Sequence, residues 1–106
     1  MNNAAFVVVV LTNPEQVEPI VLKANYNAYP KLSSMSINLQ KPEEVMDNIC
    51  RADNISCYSL LSTFLEYKNM TGIQLHYYQD GYWTKEGHAL AANAVAEYLK
   101  EKINKL

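Results

Sequence analysis

Cysteine is nearly absent: Cys50 and Cys57 are the only two in 106 residues, too few and too irregularly placed for a disulfide scaffold or a zinc site. Both are expected as free, buried thiols. A bridge between them would have to join the end of one element to the middle of the next. Charge of one sign is also lacking, since nine basic residues face eleven acidic ones and no Lys/Arg cluster exists to neutralise a run of phosphates. Nucleic acid is therefore not an expected partner. The strongest apolar run, Ala4 to Leu11, is eight residues, whereas a helix needs about 20 to span a bilayer. It has neither a charged flank nor a cleavage pattern, so it is not read as a signal peptide. Composition points to the cytoplasm, with an extracytoplasmic location left open if the chain is a fragment. Asn54-Ile55-Ser56 and Asn69-Met70-Thr71 match the glycosylation triplet and, without a secretory leader, are taken as incidental. There is no internal repeat, low-complexity tract or linker, and residues 1–106 are expected to form a single domain that buries roughly 65% of its unfolded surface.

What is present reads as α/β. Phe6 to Leu11 is β-branched on both faces, the pattern of a strand covered on both sides inside a parallel sheet. Asn13 as cap, Pro14 at the first helical position and Glu15 beside the positive end of the dipole then start a helix. Pro19 predicts a kink or a fresh start, with Ile20 to Asn27 carrying the main turns. Tyr29 to Gln40 predicts a short extended piece. Lys41-Pro42 opens a second helix with Val45, Met46 and Ile49 on one face, terminated near a left-handed Asn54. Ile55 to Ser59 is the second parallel strand, Leu60 to Lys68 a helix with Leu61, Phe64 and Leu65 inward. The last helix starts at Thr84 and carries an apolar stripe from Leu90 to Ile103. The expectation is an open parallel sheet of two or three strands flanked by helices. A Val-rich strand with too few partners has an exposed edge, and exposed edges pair with something.

The densest chemical signal is Asp80-Gly81-Tyr82-Trp83-Thr84-Lys85-Glu86-Gly87-His88 running into Ala89-Leu90-Ala91-Ala92. It resembles the last block of SGNH (GDSL-type) hydrolases and acyltransferases, in which an Asp and a closely following His orient and deprotonate a distant serine. The likeness extends over the whole chain: Phe6 to Val17 resembles the penultimate strand and its loop, and Lys41 to Leu61 the helix and final strand before the Asp/His loop. It covers the C-terminal half of a three-layer domain only. No Gly-Asp-Ser and no Gly-x-Asn-Asp occur, and Gly72, Gly81 and Gly87 are the only glycines, so neither a nucleophile block nor an oxyanion-hole glycine is present.

The resemblance places Asp80 at the triad acid and the missing His at Tyr82, or at Trp83 in members with longer spacing. Phenols lose their proton only near about pH 10, so a tyrosine there is no base at neutral pH. Beside this stands the plainer reading of Asp80-Gly81 as a turn. His88 carries an imidazole, the side chain suited to general-base work near neutral pH, but lies in the first turn of the last helix, where Gly87 permits close packing; it is the substitute base in one reading and scaffold in the other. His76 is a second outsider, close to Asp80 in sequence and no worse a candidate to reach it. Tyr77, Tyr78, Tyr82 and Trp83 either line a carbohydrate- or acyl-binding surface or close the end of a small core. No cofactor is implied, and two histidines with one nearby acid make no metal-ligand spacing. The implied parent activity is serine-dependent ester hydrolysis or acyl transfer on an ester-bearing small molecule or acylated carbohydrate, with this chain inactive alone. The partner is then the missing N-terminal half or a second copy, and the alternative from another class is a non-catalytic module that oligomerises through its sheet edge.

Overall fold

The computed structural model describes residues 6–105. Ala4 and Ala5, the start of the apolar run, lie outside them. Mixed α/β architecture is found, mostly helical: a two-stranded parallel sheet and five helices among the described residues. Strand β1 (Val7–Val10) pairs with β2 (Ser56–Ser59) in register Val7 with Ser56 through Val10 with Ser59. The Leu60 amide extends the ladder by donating to the Val10 carbonyl at 3.1 Å.

Between the strands run α1 (Pro14–Val17), α2 (Pro19–Ala28) and α3 (Lys41–Ala52). The start of α1 is the expected cap, completed as a box: Asn13 Oδ1 accepts from the Gln16 amide while Gln16 Oε1 accepts from the Asn13 amide. Pro19 does give a fresh start. It cannot donate a fourth-residue bond, so α1 ends at Val17 and α2 begins with the proline at its first position. Gln16 then spends its amide nitrogen on the Leu39 carbonyl and Glu43 Oε2, both at 2.8 Å, which ties the loop before α3 to α1.

Three expectations for this half are corrected. Tyr29 to Gln40 forms no extended strand; Pro30–Ser34 is a 3₁₀ turn, because Ser33 and Ser34 return their hydroxyls to the Pro30 and Lys31 carbonyls. Consequently β1 has one partner strand and is only half-buried, rather than enclosed in a sheet interior. Cys50 and Cys57 are a disulfide, not free thiols. Asn54 takes the left-handed conformation (φ 55°), the Ile55 amide bonds back to the Cys50 carbonyl, and the end of α3 is folded against the second residue of β2 with 6.2 Å between the Cα atoms. The apolar face expected on α3 stays open, with Val45 and Ile49 each over two-fifths exposed.

Helices α4 (Leu61–Thr71) and α5 (Lys85–Asn104) close the core. Val17, Leu60, Leu61, Phe64, Leu75 and Ala91 form it, with Val9, Tyr58 and Trp83 packed around. Gly72 in the left-handed region terminates α4, and Thr84 caps α5 by accepting from the Gly87 amide. Gly87 has to be glycine, since any Cβ there would overlap the Leu75 carbonyl oxygen. The molecule is elongated, 55 × 30 × 23 Å with a radius of gyration of 16.1 Å, against about 13 Å for a compact chain of 100 residues. The far end of α5 projects from the core, leaving Ile103 exposed.

Candidate functional site

Leu75 to Thr84, between α4 and α5, is a tight antiparallel reversal. The Tyr77 amide donates to the Tyr82 carbonyl at 2.8 Å, His76 and Trp83 form an isolated bridge, and the Thr84 amide returns to the Leu75 carbonyl. Gly81 at φ 79° makes the turn. Within it, Asp80 Oδ1 accepts only the Tyr82 backbone amide, at 3.3 Å, and the side chain is exposed. Tyr82 is 74% exposed. His88 is exposed as well and sets its ring edge-on to Trp83, 5.4 Å between centroids. The structure therefore puts Tyr82 and His88 on one cleft of about 350 Å³, with Leu11, Thr12, Gly81 and Trp83, while Asp80 reaches neither imidazole.

His76 is not on a loose loop and does not serve Asp80. Its ring is fully buried against Phe64, and its two nitrogens reach across the fold: Nδ1 to Glu18 Oε2 at 3.3 Å, Nε2 to Thr12 Oγ1 at 2.9 Å. Glu18 is itself fully buried. It also accepts from Lys68 Nζ at 2.7 Å and from the Leu75 amide at 3.1 Å. Burial alone would raise the Glu18 carboxyl, but the hydrogen bonds from Lys68, Leu75 and His76 and the Lys68 charge outweigh it and hold the group below its ordinary value. An ionised carboxylate only accepts, so His76 Nδ1 carries the hydrogen facing it. In the neutral ring, Nε2 is then the acceptor for the Thr12 hydroxyl. Trp83 Nε1 donates to the same Thr12 oxygen at 3.2 Å. Hydroxyl, imidazole and carboxylate thus form a continuous chain of contacts, the carboxylate and imidazole fully buried and the hydroxyl on the cleft wall.

Thr12 and Glu18 went unread as chemistry in the sequence. One signal was available, an acid at Glu18 directly after the apolar Val17 and before the helix-starting Pro19, at the junction of α1 and α2. Its partners lie 58 and 50 residues away, beyond any spacing rule. Among the described residues no three His, Cys, Asp or Glu side chains converge on a metal position, and no helix is long and apolar enough to cross a membrane. Compared with known proteins, the chain matches no family model, no curated protein and no solved structure.

Proposed function

We propose that this chain carries the acid loop and last helix of an SGNH-like hydrolase or acyltransferase domain and has no serine-dependent turnover of its own. The observation that carries the reading is the state of the acid. Asp80 accepts a single backbone bond within its own turn, and the position that would present an imidazole is an exposed Tyr82. Such a carboxylate has nothing to orient, and it touches no base that could take a proton from a nucleophile. The parent activity would be cleavage or transfer of an ester-linked acyl group, on an ester-bearing small molecule or acylated carbohydrate. The test is a steady-state esterase assay with p-nitrophenyl acetate. No turnover above buffer is expected, and turnover abolished by Asp80→Asn would refute the reading.

A second reading is an interaction module that self-associates through β1. It is favoured by the one-sided pairing of that strand and by the exposed Leu11 beside it. Sedimentation of the chain as a monomer across a wide concentration range would remove it. The Cys50–Cys57 bridge favours oxidising surroundings for either reading, because such bonds are rare where thiols are kept reduced.

A further inference from the structure

The line from Glu18 through His76 to Thr12 uses none of the residues of the Asp80 loop's carboxyl chemistry, yet it has the order of an activated nucleophile: acid behind base, base behind hydroxyl. Each contact has the required sense. Glu18 fixes the ring and the tautomer, His76 Nε2 faces the Thr12 hydroxyl at 2.9 Å, and Trp83 Nε1 at 3.2 Å stabilises negative charge as it develops on the Thr12 oxygen. Thr12 is partly exposed and lines the 350 Å³ cleft, so a small acyl donor can approach it, whereas nothing can approach His76 directly.

We propose that Thr12 is a reactive hydroxyl that accepts one acyl group from an activated ester and retains it. In this step the Thr12 proton passes to His76 Nε2, Thr12 Oγ1 bonds to the acyl carbon, and the ester C–O bond breaks. The leaving group of the activated ester departs as its phenolate, and the proton stays on His76, whose imidazolium is held by the Glu18 carboxylate. The products are an O-acyl threonine, a phenolate and a protonated His76, with no redox change and no further reactant. Retention follows from burial. Hydrolysis would need a water against His76 Nε2, and that ring is fully enclosed behind the acylated residue. This goes beyond the proposed function, which concerns the Asp80 loop, and it is compatible with an absence of turnover.

The experiment is incubation of the whole chain with p-nitrophenyl acetate, intact mass measurement and peptide mapping. One acetyl group per chain at Thr12 is expected. Thr12→Ser should still be labelled and Thr12→Val should not, the latter also leaving His76 Nε2 and Trp83 Nε1 without their Thr12 partner. His76→Gln should label roughly a hundredfold more slowly, the loss typical of a positioned base. Circular dichroism reports whether each variant is folded, and if His76→Gln is not, the two Thr12 variants decide alone. No label, label only on lysine or tyrosine, or undiminished labelling of Thr12→Val would overturn the proposal. Continuous turnover lost in Asp80→Asn would instead overturn the reading of the Asp80 loop, so the two failures are distinguishable.

Discussion

Removing the Glu18 carboxylate tests the energetics of the interior most directly. Glu18→Ala deletes the acceptor for three donors: Lys68 Nζ at 2.7 Å, the Leu75 amide at 3.1 Å and His76 Nδ1 at 3.3 Å. The three are not equally harmed. Lys68 keeps some solvent access and has the Gly72 and Ile73 carbonyls at 3.4 Å to fall back on, so its loss is partly compensated. The Leu75 amide and the His76 ring are buried and have no such alternative for those hydrogens, and each orphaned donor costs about 1–3 kcal/mol. The sum agrees with the roughly 3–5 kcal/mol seen when one member of a buried ion pair is removed. Against a total stability of about 5–15 kcal/mol, that is a large fraction. Glu18→Gln, which keeps shape and one acceptor, should lose less. The pH dependence has a definite sign. The folded-state value lies below 4.5, so the contribution is fully present above the unfolded value and fades as acid takes the pH down through the folded one. Urea unfolding of the wild type and both variants, at neutral pH and in acid below the usual carboxylate range, reads both effects. A Glu18→Ala loss under about 1 kcal/mol, or a wild-type advantage over Glu18→Gln that is unchanged in acid, would refute the reasoning.

Gly87→Ala should be costly despite adding one carbon, because the new Cβ overlaps the Leu75 carbonyl and also crowds the Trp83 Cβ; about 1–3 kcal/mol by thermal unfolding is expected. Reducing Cys50–Cys57, which closes a loop with a sequence separation of 7, should lower stability by about 2 kcal/mol, read as a fall in melting temperature on adding dithiothreitol. Thiol titration of unreduced denatured protein should find no free cysteine.

Local rules recovered the elements whose causes are local. The Asn13 cap, the restart at Pro19, the left-handed Asn54 and the start of α5 at Thr84 each depend on one or two side chains and their own backbone, and each is where the sequence put it. Gly87 was legible as a close approach of backbones for the same reason. The disulfide was not, because whether Cys50 and Cys57 meet depends on how α3 turns back into β2, a geometry that spacing alone leaves open. The burial of β1 was overestimated, since a run of valines reports its affinity for neighbours and not whether neighbours exist. For the site, the Asp80-Gly81 turn was legible and the Glu18–His76–Thr12 line was not. Its members come from the end of β1, the junction of α1 and α2, and the reversal before α5, and only the tertiary fold makes them adjacent.

Whether that line serves architecture or chemistry is decided by a substitution that keeps the first and removes the second. Buried ion pairs are often replaceable by apolar side chains of similar volume with no loss of stability, provided all partners go together. Here the set is Glu18→Leu, Lys68→Met and His76→Phe. The new rings and chains would face Phe64 and Leu75, which are already apolar and buried, and Lys68 brings its own aliphatic stem to the exchange. Two bonds have no replacement, those accepted from Leu75 N and offered by Thr12 Oγ1; the hydroxyl can turn to solvent, whereas the amide cannot and should cost about 1–3 kcal/mol. The triple variant is therefore expected to fold and to unfold within about 3 kcal/mol of the wild type, less than the loss from Glu18→Ala alone with its orphaned partners. If it does so and also fails to take an acetyl group, the polar line is retained for what it does to the Thr12 hydroxyl. A triple variant markedly less stable than Glu18→Ala would mean instead that the carboxylate and imidazole specify where the Leu75–Thr84 reversal docks, and that the argument from replaceable ion pairs fails here.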